Sequence, residues 1–223
     1  MDWPIPGAIV VGGGFFVLLI VLLIFAGVAA SRRERERQDG IRRWAAHHGW
    51  HVAVSPAVDW EKLLPGGNRR GVSLLVSGWV HNRHVGVAEY SYTTSSTDSR
   101  GSTSTTTYHF IVILVRLTTS YPPLAVQPRG ALSRLGRAMF GDKATATGHD
   151  LFDRRFRVQT RDPAYARTLV GPALITEHVA GRVPEWTLAG HDLLTWQHGI
   201  LSDPRQIPVL AAPLMRVADL LGR

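Results

Sequence analysis

The sequence predicts an α+β protein: an N-terminal transmembrane helix followed by one soluble domain with an antiparallel β-sheet and packed helices. Three observations carry this reading. Residues Gly7–Ala30 form an uninterrupted apolar run of 24 residues with no charged side chain. Residues 72–117 hold three successive stretches of strand-forming residues separated by turn signals. Asp162-Pro163 and Asp203-Pro204 each place an N-cap acid before a first-turn proline, the signature of a helix start.

The apolar run comes first. At about 1.5 Å per residue, a helix of this length covers roughly 36 Å, against a hydrocarbon thickness of about 30 Å. A cleaved signal peptide fits poorly, although Ala29-Ala30-Ser31 resembles a cleavage site. Asp2 is the only charged side chain before the run, and the apolar core exceeds the usual length of about 7–15 residues. Arg32, Arg33, Arg35, Arg37, Arg42 and Arg43 follow the run, and no basic side chain precedes it. The positive-inside rule then places the N-terminus outside and the C-terminal bulk in the cytoplasm, at a plasma membrane, with Trp3 at the outer interface. The expected segments are a short extracytoplasmic N-terminus (1–6), the span (7–30), a juxtamembrane basic helix (31–49) and a cytoplasmic α+β domain (50–223).

Composition narrows the partners. The chain carries 25 basic and 17 acidic residues. All but two of the basic residues are Arg, the exceptions being Lys62 and Lys143, and much of the charge sits beside the span. That distribution favours anionic lipid headgroups, contacted through residues 31–43, over nucleic acid. Glu34 and Glu36 offset part of the charge, leaving an expected pull toward an anionic surface of about 2–4 kcal/mol, with Trp44 able to dip into the interface. Cysteine is absent, which rules out disulfides, thiol catalysis and Cys-ligated metal.

Along the chain, residues 31–48 read as a helical continuation of the span. Ile41, Trp44, Ala45 and His48 recur at helical spacing, Gly40 permits a bend, and Gly49 ends the helix. Trp50–Val54 reads as a strand with Trp50, Val52 and Val54 on one face. A helical turn at Asp59–Leu64 and a turn at Pro65-Gly66-Gly67-Asn68 follow. Val72–Val80 and Val85–Thr94 form a hairpin about Asn82-Arg83. Thr107–Leu117 is apolar on both faces from His109 onward, as a central strand should be. Between the second and third strands, Ser91–Thr107 holds 13 Ser or Thr in 17 residues, which reads as a hairpin with a solvated, mobile tip at Ser99–Ser102. Pro122-Pro123 should end the third strand, with a short strand at Leu124–Gln127 beyond it. A short helix is expected at Gly130–Phe140, with Leu132, Leu135 and Met139 as its apolar stripe. Leu151–Val158 leads into another strand. A helix from Pro163 breaks at Gly171-Pro172 and restarts. Trp186–Leu188 and Leu193–Trp196, joined at Ala189–Asp192, read as a final hairpin. A terminal helix then carries Ile207, Leu210, Leu214, Val217 and Leu221 on one face.

The motifs of phosphate-loop, dinucleotide-binding, nucleophile-elbow and zinc-protease chemistry do not occur. No catalytic, cofactor or metal residue is assigned. Histidine is the enriched chemical resource, with ten residues. His81 and His84 flank the expected Asn82-Arg83 turn and would face each other across it, with His109 on the next strand, but three fixed ligands and their supporting groups are needed for a site. His47, His48 and His51 cluster at the helix–strand junction. Arg154, Arg155 and Arg157 suit anion contact, while period-2 alternation alone explains them as the solvent side of a strand start. In the span, Gly12-Gly13-Gly14 and the pair Ala8/Gly12 suit close approach of another helix, hence self-association.

Several phrases together resemble a family of uncharacterised bacterial single-pass membrane proteins, a domain of unknown function. They are Trp44-Ala45-Ala46-His47-His48-Gly49-Trp50, Glu89-Tyr90-Ser91-Tyr92-Thr93-Thr94, Tyr121–Pro128 and Phe152–Val158. The resemblance covers roughly residues 41–221. It implies a membrane-anchored α+β domain and brings no catalytic residues with it. The expectation is therefore a membrane-anchored, non-catalytic interaction or scaffold module with a protein partner, the alternative being a membrane-tethered hydrolase-like enzyme using histidine or a metal.

Overall fold

The structure, a computed structural model, describes residues 7–66, 69–129 and 144–222. For most of Gly7–Ala30 the description extends to the backbone only. The N-terminal segment 1–6, part of the Pro65–Asn68 turn and the helix expected at Gly130–Phe140 lie outside the described residues.

Helix α1 runs from Gly7 to His48 without a break, straight through Gly40. Gly49, at φ +70°, ends it, and the Trp50 N–H donates to the Ala45 carbonyl at 2.8 Å, the closing bond of a left-handed helix terminus. Among the described residues no helix is long and apolar enough to cross a membrane. The chain divides inside α1 into two compact units, Met1–Trp44 and Ala45–Arg223.

The second unit is α+β, with packed helices and, among the described residues, an antiparallel seven-stranded sheet. Its strands are β1 (His51–Val54), β2 (Arg69–Val80), β3 (Arg83–Thr97), β4 (Thr103–Pro128), β5 (Ala144–Thr145), β6 (Phe156–Thr160) and β7 (Trp186–His198). The helices are α2 (Asp150–Arg155), α3 (Pro163–Leu169), α4 (Pro172–Val179) and α5 (Ile207–Leu220). Strand order is β1-β2-β3-β4-β6-β5, and β7 pairs with β4. Strand β4 is the spine. Its residues 110–116 lie between β3 and β7, and its residues 124–126 lie between β6 and β7.

The long strands correct two expectations. Pro122-Pro123 does not end β4; the strand continues to Pro128, and its register to β7 shifts between Arg116 and Leu124. Four β4 residues (117–120) lie between the Arg116 and Tyr121 rungs, where β7 has only one, so the prolines sit in a bulged stretch whose ladder donors are not needed. Likewise Ala189–Asp192 is no hairpin. Residues 186–198 form one strand along β4, and Gly190, at φ +61°, takes the bend opposite the bulge. Leu151–Val158 also divides differently, into the helical turn α2 and then β6, because His149 and Asp153 fasten the preceding loop onto a helix start. The Trp50–Val54 alternation gives way as well. The strand begins at His51, Val54 is 53% exposed, and the Trp50 ring lies where a Cβ on Gly78 would stand.

Other signals hold. Asp162 caps α3 by accepting from the Ala164 and Tyr165 N–H groups at 3.0 Å each, worth about 1 kcal/mol. Asp203 accepts from the Arg205 N–H ahead of α5. The stripe Ile207, Leu214 and Val217 is buried with Ala211, while Leu210 and Leu221 stay at its margin. One sheet face is covered by the 3-10 turn Asp59–Leu63, whose Trp60, Leu63 and adjoining Leu64 pack with Tyr90, Phe110 and Val112. Helix α5 packs on β4 and β7. Beside it the buried Glu89 carboxylate accepts from the Leu201 N–H at 2.9 Å.

Candidate functional site

The register of β2, β3, β4 and β7 aligns one row of side chains at the end of the Trp60-covered face. Trp79 pairs with His84, His84 with Arg116, and Arg116 with Asp192. The next row toward the core is Ser77–Gly86–Leu114–Leu194. Between these rows and the Asp59–Leu63 turn lies a cleft of about 280 Å³, lined by Asp59, Trp60, Ser77, His84, Arg116 and Asp192 among others. Arg116 Nη1 stands 3.7 Å from Asp192 Oδ1, an ion pair without a hydrogen bond. Burial raises the Asp192 carboxyl above its usual range, Arg116 and His191 pull it back in part, and Asp59 pushes it further up. Asp192 Oδ1 and His84 Nδ1 are both closed to solvent and find no hydrogen-bond partner among the described residues.

This row changes the histidine expectation. The turn is His81-Asn82, both at positive φ (45° and 67°), with Val80 opposite Arg83. His81 therefore sits in the turn, His84 packs edge-on to Trp79 at 5.6 Å, and the two histidines do not face each other. His109 pairs with Ser91, on the opposite face of the sheet from His84 by strand parity. Among the described residues no group of three or more His, Asp or Glu is placed to hold a metal ion.

Of the arginines that suit anion contact, Arg154 and Arg155 lie on α2 and Arg157 lies on β6. Arg154, on α2, lines an open pocket with Arg129 and donates Nε to the Asp150 carbonyl. Arg155 donates to the Val179 carbonyl at 2.8 Å and lies 5.6 Å over the Phe156 ring. Arg157 is on β6 opposite Gln127. Of the juxtamembrane set, Arg32, Arg33 and Arg35 are exposed on α1. Arg37 donates twice to Glu34, at 2.6 and 2.9 Å, and that hydrogen bonding holds the Glu34 carboxyl below its usual range. Arg42 reaches Asp39 at 3.2 Å, Arg43 donates to the Asp39 carbonyl, and Trp44 is half-buried.

Two polar clusters hold the helical half together. Arg182 makes two hydrogen bonds to Glu177 (2.7 and 2.8 Å) and Arg216 a third (2.5 Å), which ties α4 to α5 and lowers the Glu177 carboxyl to about 2. His178 is fully buried among Phe152, Phe156 and Trp186, and its Nε2 accepts from Trp186 Nε1–H at 2.9 Å. Burial lowers its pKa to about 4.

The Ser/Thr-rich stretch is a hairpin, as its sequence suggested, and its strands stay paired up to the tip. Pairing of β3 with β4 continues without a break from His84–Arg116 to Thr97–Thr103. Strand β2 leaves β3 at Thr93, and β7 leaves β4 at Phe110. Beyond those points Thr94–Thr97 pair only with Thr103–Thr106 among the described residues, a two-stranded ribbon extending roughly 13 Å past β2. Its tip is a closed turn rather than a loose loop: Asp98 Oδ1 accepts from the Arg100 and Ser102 N–H groups, with Gly101 at φ +80°. Hydroxyl pairs Ser95–Thr105 and Thr97–Thr103 meet at 3.1 Å on one face. At the root of the other face, His198, Phe110, Tyr92 and Tyr108 form a continuous aromatic strip with centroid spacings of 4.4, 5.6 and 5.1 Å.

Fold and site thus define an α+β domain with a polar cleft and a projecting ribbon. No family model matches the chain, and no curated protein matches it. Among solved structures, the mycobacterial trehalose monomycolate transport factor A, TtfA, aligns over 83% of this chain and 92% of its own, at 12% identity and a TM-score of 0.46. That score is too low to establish a shared fold.

Proposed function

We propose that the chain is a membrane-anchored, non-catalytic interaction module that recruits a protein partner through the β3–β4 ribbon. The ribbon is the observation that carries it. Natural proteins guard exposed sheet edges with Lys, Pro or bulges. Here Thr94–Thr97 and Thr103–Tyr108 contain none of these and no charged residue at all; Asp98 and Arg100 lie only at the tip. An extended segment of a partner can add to such an edge through backbone hydrogen bonds. Tyr, Ser and Thr around it supply rigid amphipathic contact area and adaptable hydroxyls, the chemistry that binding loops favour.

Anchoring is supported by the Gly7–Ala30 run and the arginines after it. On this reading Gly7–Ala30 spans a plasma membrane, the N-terminus is outside, and the domain lies on the cytoplasmic face. Arg32, Arg33 and Arg35 then meet anionic headgroups, while Arg37 and Arg42 are already paired with acids of their own helix.

Shortening the ribbon tests the proposal. Replacing residues 95–105 with an Asn-Gly turn should leave the thermal unfolding of the full chain within a few degrees of wild type, because this segment buries little. A partner that co-purifies with wild type from mild detergent should be lost from the shortened chain. Isolation of wild type alone, or an unchanged set of bound proteins after shortening, contradicts the proposal.

A further inference from the structure

The sheet end that carries the β2–β3 turn presents a side chain the fold does not use. Trp79 is 67% exposed, and among the described residues it is the only tryptophan open to solvent; Trp60 and Trp186 are buried, and Trp44, Trp50 and Trp196 are half-buried. Its neighbours along β2 are already occupied, because the Trp50 ring fills the space over Gly78 and Val80 is buried. A lone apolar side chain on a surface needs no explanation, but Trp79 is not alone. His81 is exposed in the turn beside it, His51 is exposed opposite Ser77, and His47 and His48 are exposed where α1 runs into β1.

Acidic groups are scarce around these rings. The chain holds no Asp or Glu from 45 to 58 or from 71 to 88. Asp219 of α5 and Asp192 of β7 reach this end, and each is matched by a guanidinium, Arg83 and Arg116. Asp59 lies across the cleft from their row. Indole is the side chain that settles at the level of lipid headgroups, and imidazole N–H groups donate to phosphate oxygens. Reach is short as well. Only 18 residues, 31–48, separate the apolar run from Gly49, about 27 Å as a helix, and Trp50 follows at once to pack at Gly78.

We propose that the Trp79 end of the sheet docks on the headgroups of an anionic bilayer, the indole at the interface and His47, His48, His51 and His81 facing lipid phosphates. The docking rests on the anchoring of Gly7–Ala30 in a membrane, and it gives the ribbon a direction. Strand β3 leaves the docked end at Arg83 and reaches Thr97 up to about 45 Å further on, so the free edge points away from lipid.

The chain has no cysteine, so Asn82→Cys or Ser99→Cys accepts a single fluorophore in the full-length protein. Nanodiscs of phosphatidylcholine and phosphatidylglycerol carrying a nitroxide-headgroup lipid report contact by quenching, while co-elution with the discs reports anchoring. The expected result is at least twofold quenching at position 82 and none at 99. Trp79→Ser, at an exposed position that leaves the core intact, should relieve at least half of the quenching at 82. Discs of phosphatidylcholine alone should quench position 82 less than half as strongly. Deleting the ribbon should leave quenching at 82 unchanged, so docking and partner recruitment are read apart. Co-elution without quenching at 82, equal quenching at 82 and 99, full quenching in the Trp79→Ser chain or equal quenching in both lipid mixtures overturns the docking and leaves the anchor standing. A chain that fails to co-elute overturns the anchor and the docking together.

Discussion

His178 shows how one side chain couples the fold to pH. Its ring is sealed among aromatic side chains, and Nε2 already accepts the Trp186 N–H, so a proton on Nε2 would set two donors face to face. Burial takes its pKa down to about 4 from an unfolded value of 6.5. The unfolded chain therefore binds a proton between those values that the folded chain does not. Stability is whole above about pH 6.5 and falls as pH drops toward 4, by roughly 3 kcal/mol in total. Urea unfolding of wild type and His178→Gln from pH 7 to pH 4 checks this: the variant should lose most of that slope, and parallel curves would refute it. Glu177 acts in a lower window. Its carboxyl, lowered to about 2 by Arg182 and Arg216, contributes stability above about pH 4.5 that disappears as pH falls through 2. The two effects can be read apart on one pH axis.

Between residue and fold, the bend shared by β4 and β7 decides the architecture. Gly190 holds the left-handed conformation opposite the β4 bulge, with open space where a Cβ would stand. Gly190→Ala should therefore cost about 1–2 kcal/mol through backbone strain alone. Gly190→Asn should cost less, since Asn visits that region more readily. Denaturant midpoints of the two variants measure it, and equal losses would point to packing instead. The same bend explains what was legible beforehand. Asp162-Pro163, Gly171-Pro172 and Asp203-Pro204 could be read because capping is local chemistry, complete within a few residues. The central strand was legible because burial on both faces leaves polar residues out of it. Pro122-Pro123 and Gly190 misled because a bulge and a turn use the same residue types, and only the partner strand distinguishes them. The cleft was hidden for the related reason that Arg116 and Asp192 meet through a pairing 76 positions apart. One clue was available: Arg116 is the only charged residue within Phe110–Leu117.

At the scale of the whole molecule, a bent sheet covered on both faces holds a ribbon beyond its own edge. The Ser/Thr-rich hairpin is a ladder whose cross-strand hydroxyl pairs replace apolar packing. Its outward backbone groups are left to water or to a partner. Hydrogen–deuterium exchange of the full chain, compared between native membranes and the purified protein in detergent, tests the central claim most directly. If a partner strand occupies the edge, peptides covering Thr94–Thr97 and Thr103–Tyr108 should exchange at least tenfold more slowly in native membranes, while β6 and α5 exchange equally in both. Equal exchange of the ribbon in the two settings would contradict the claim.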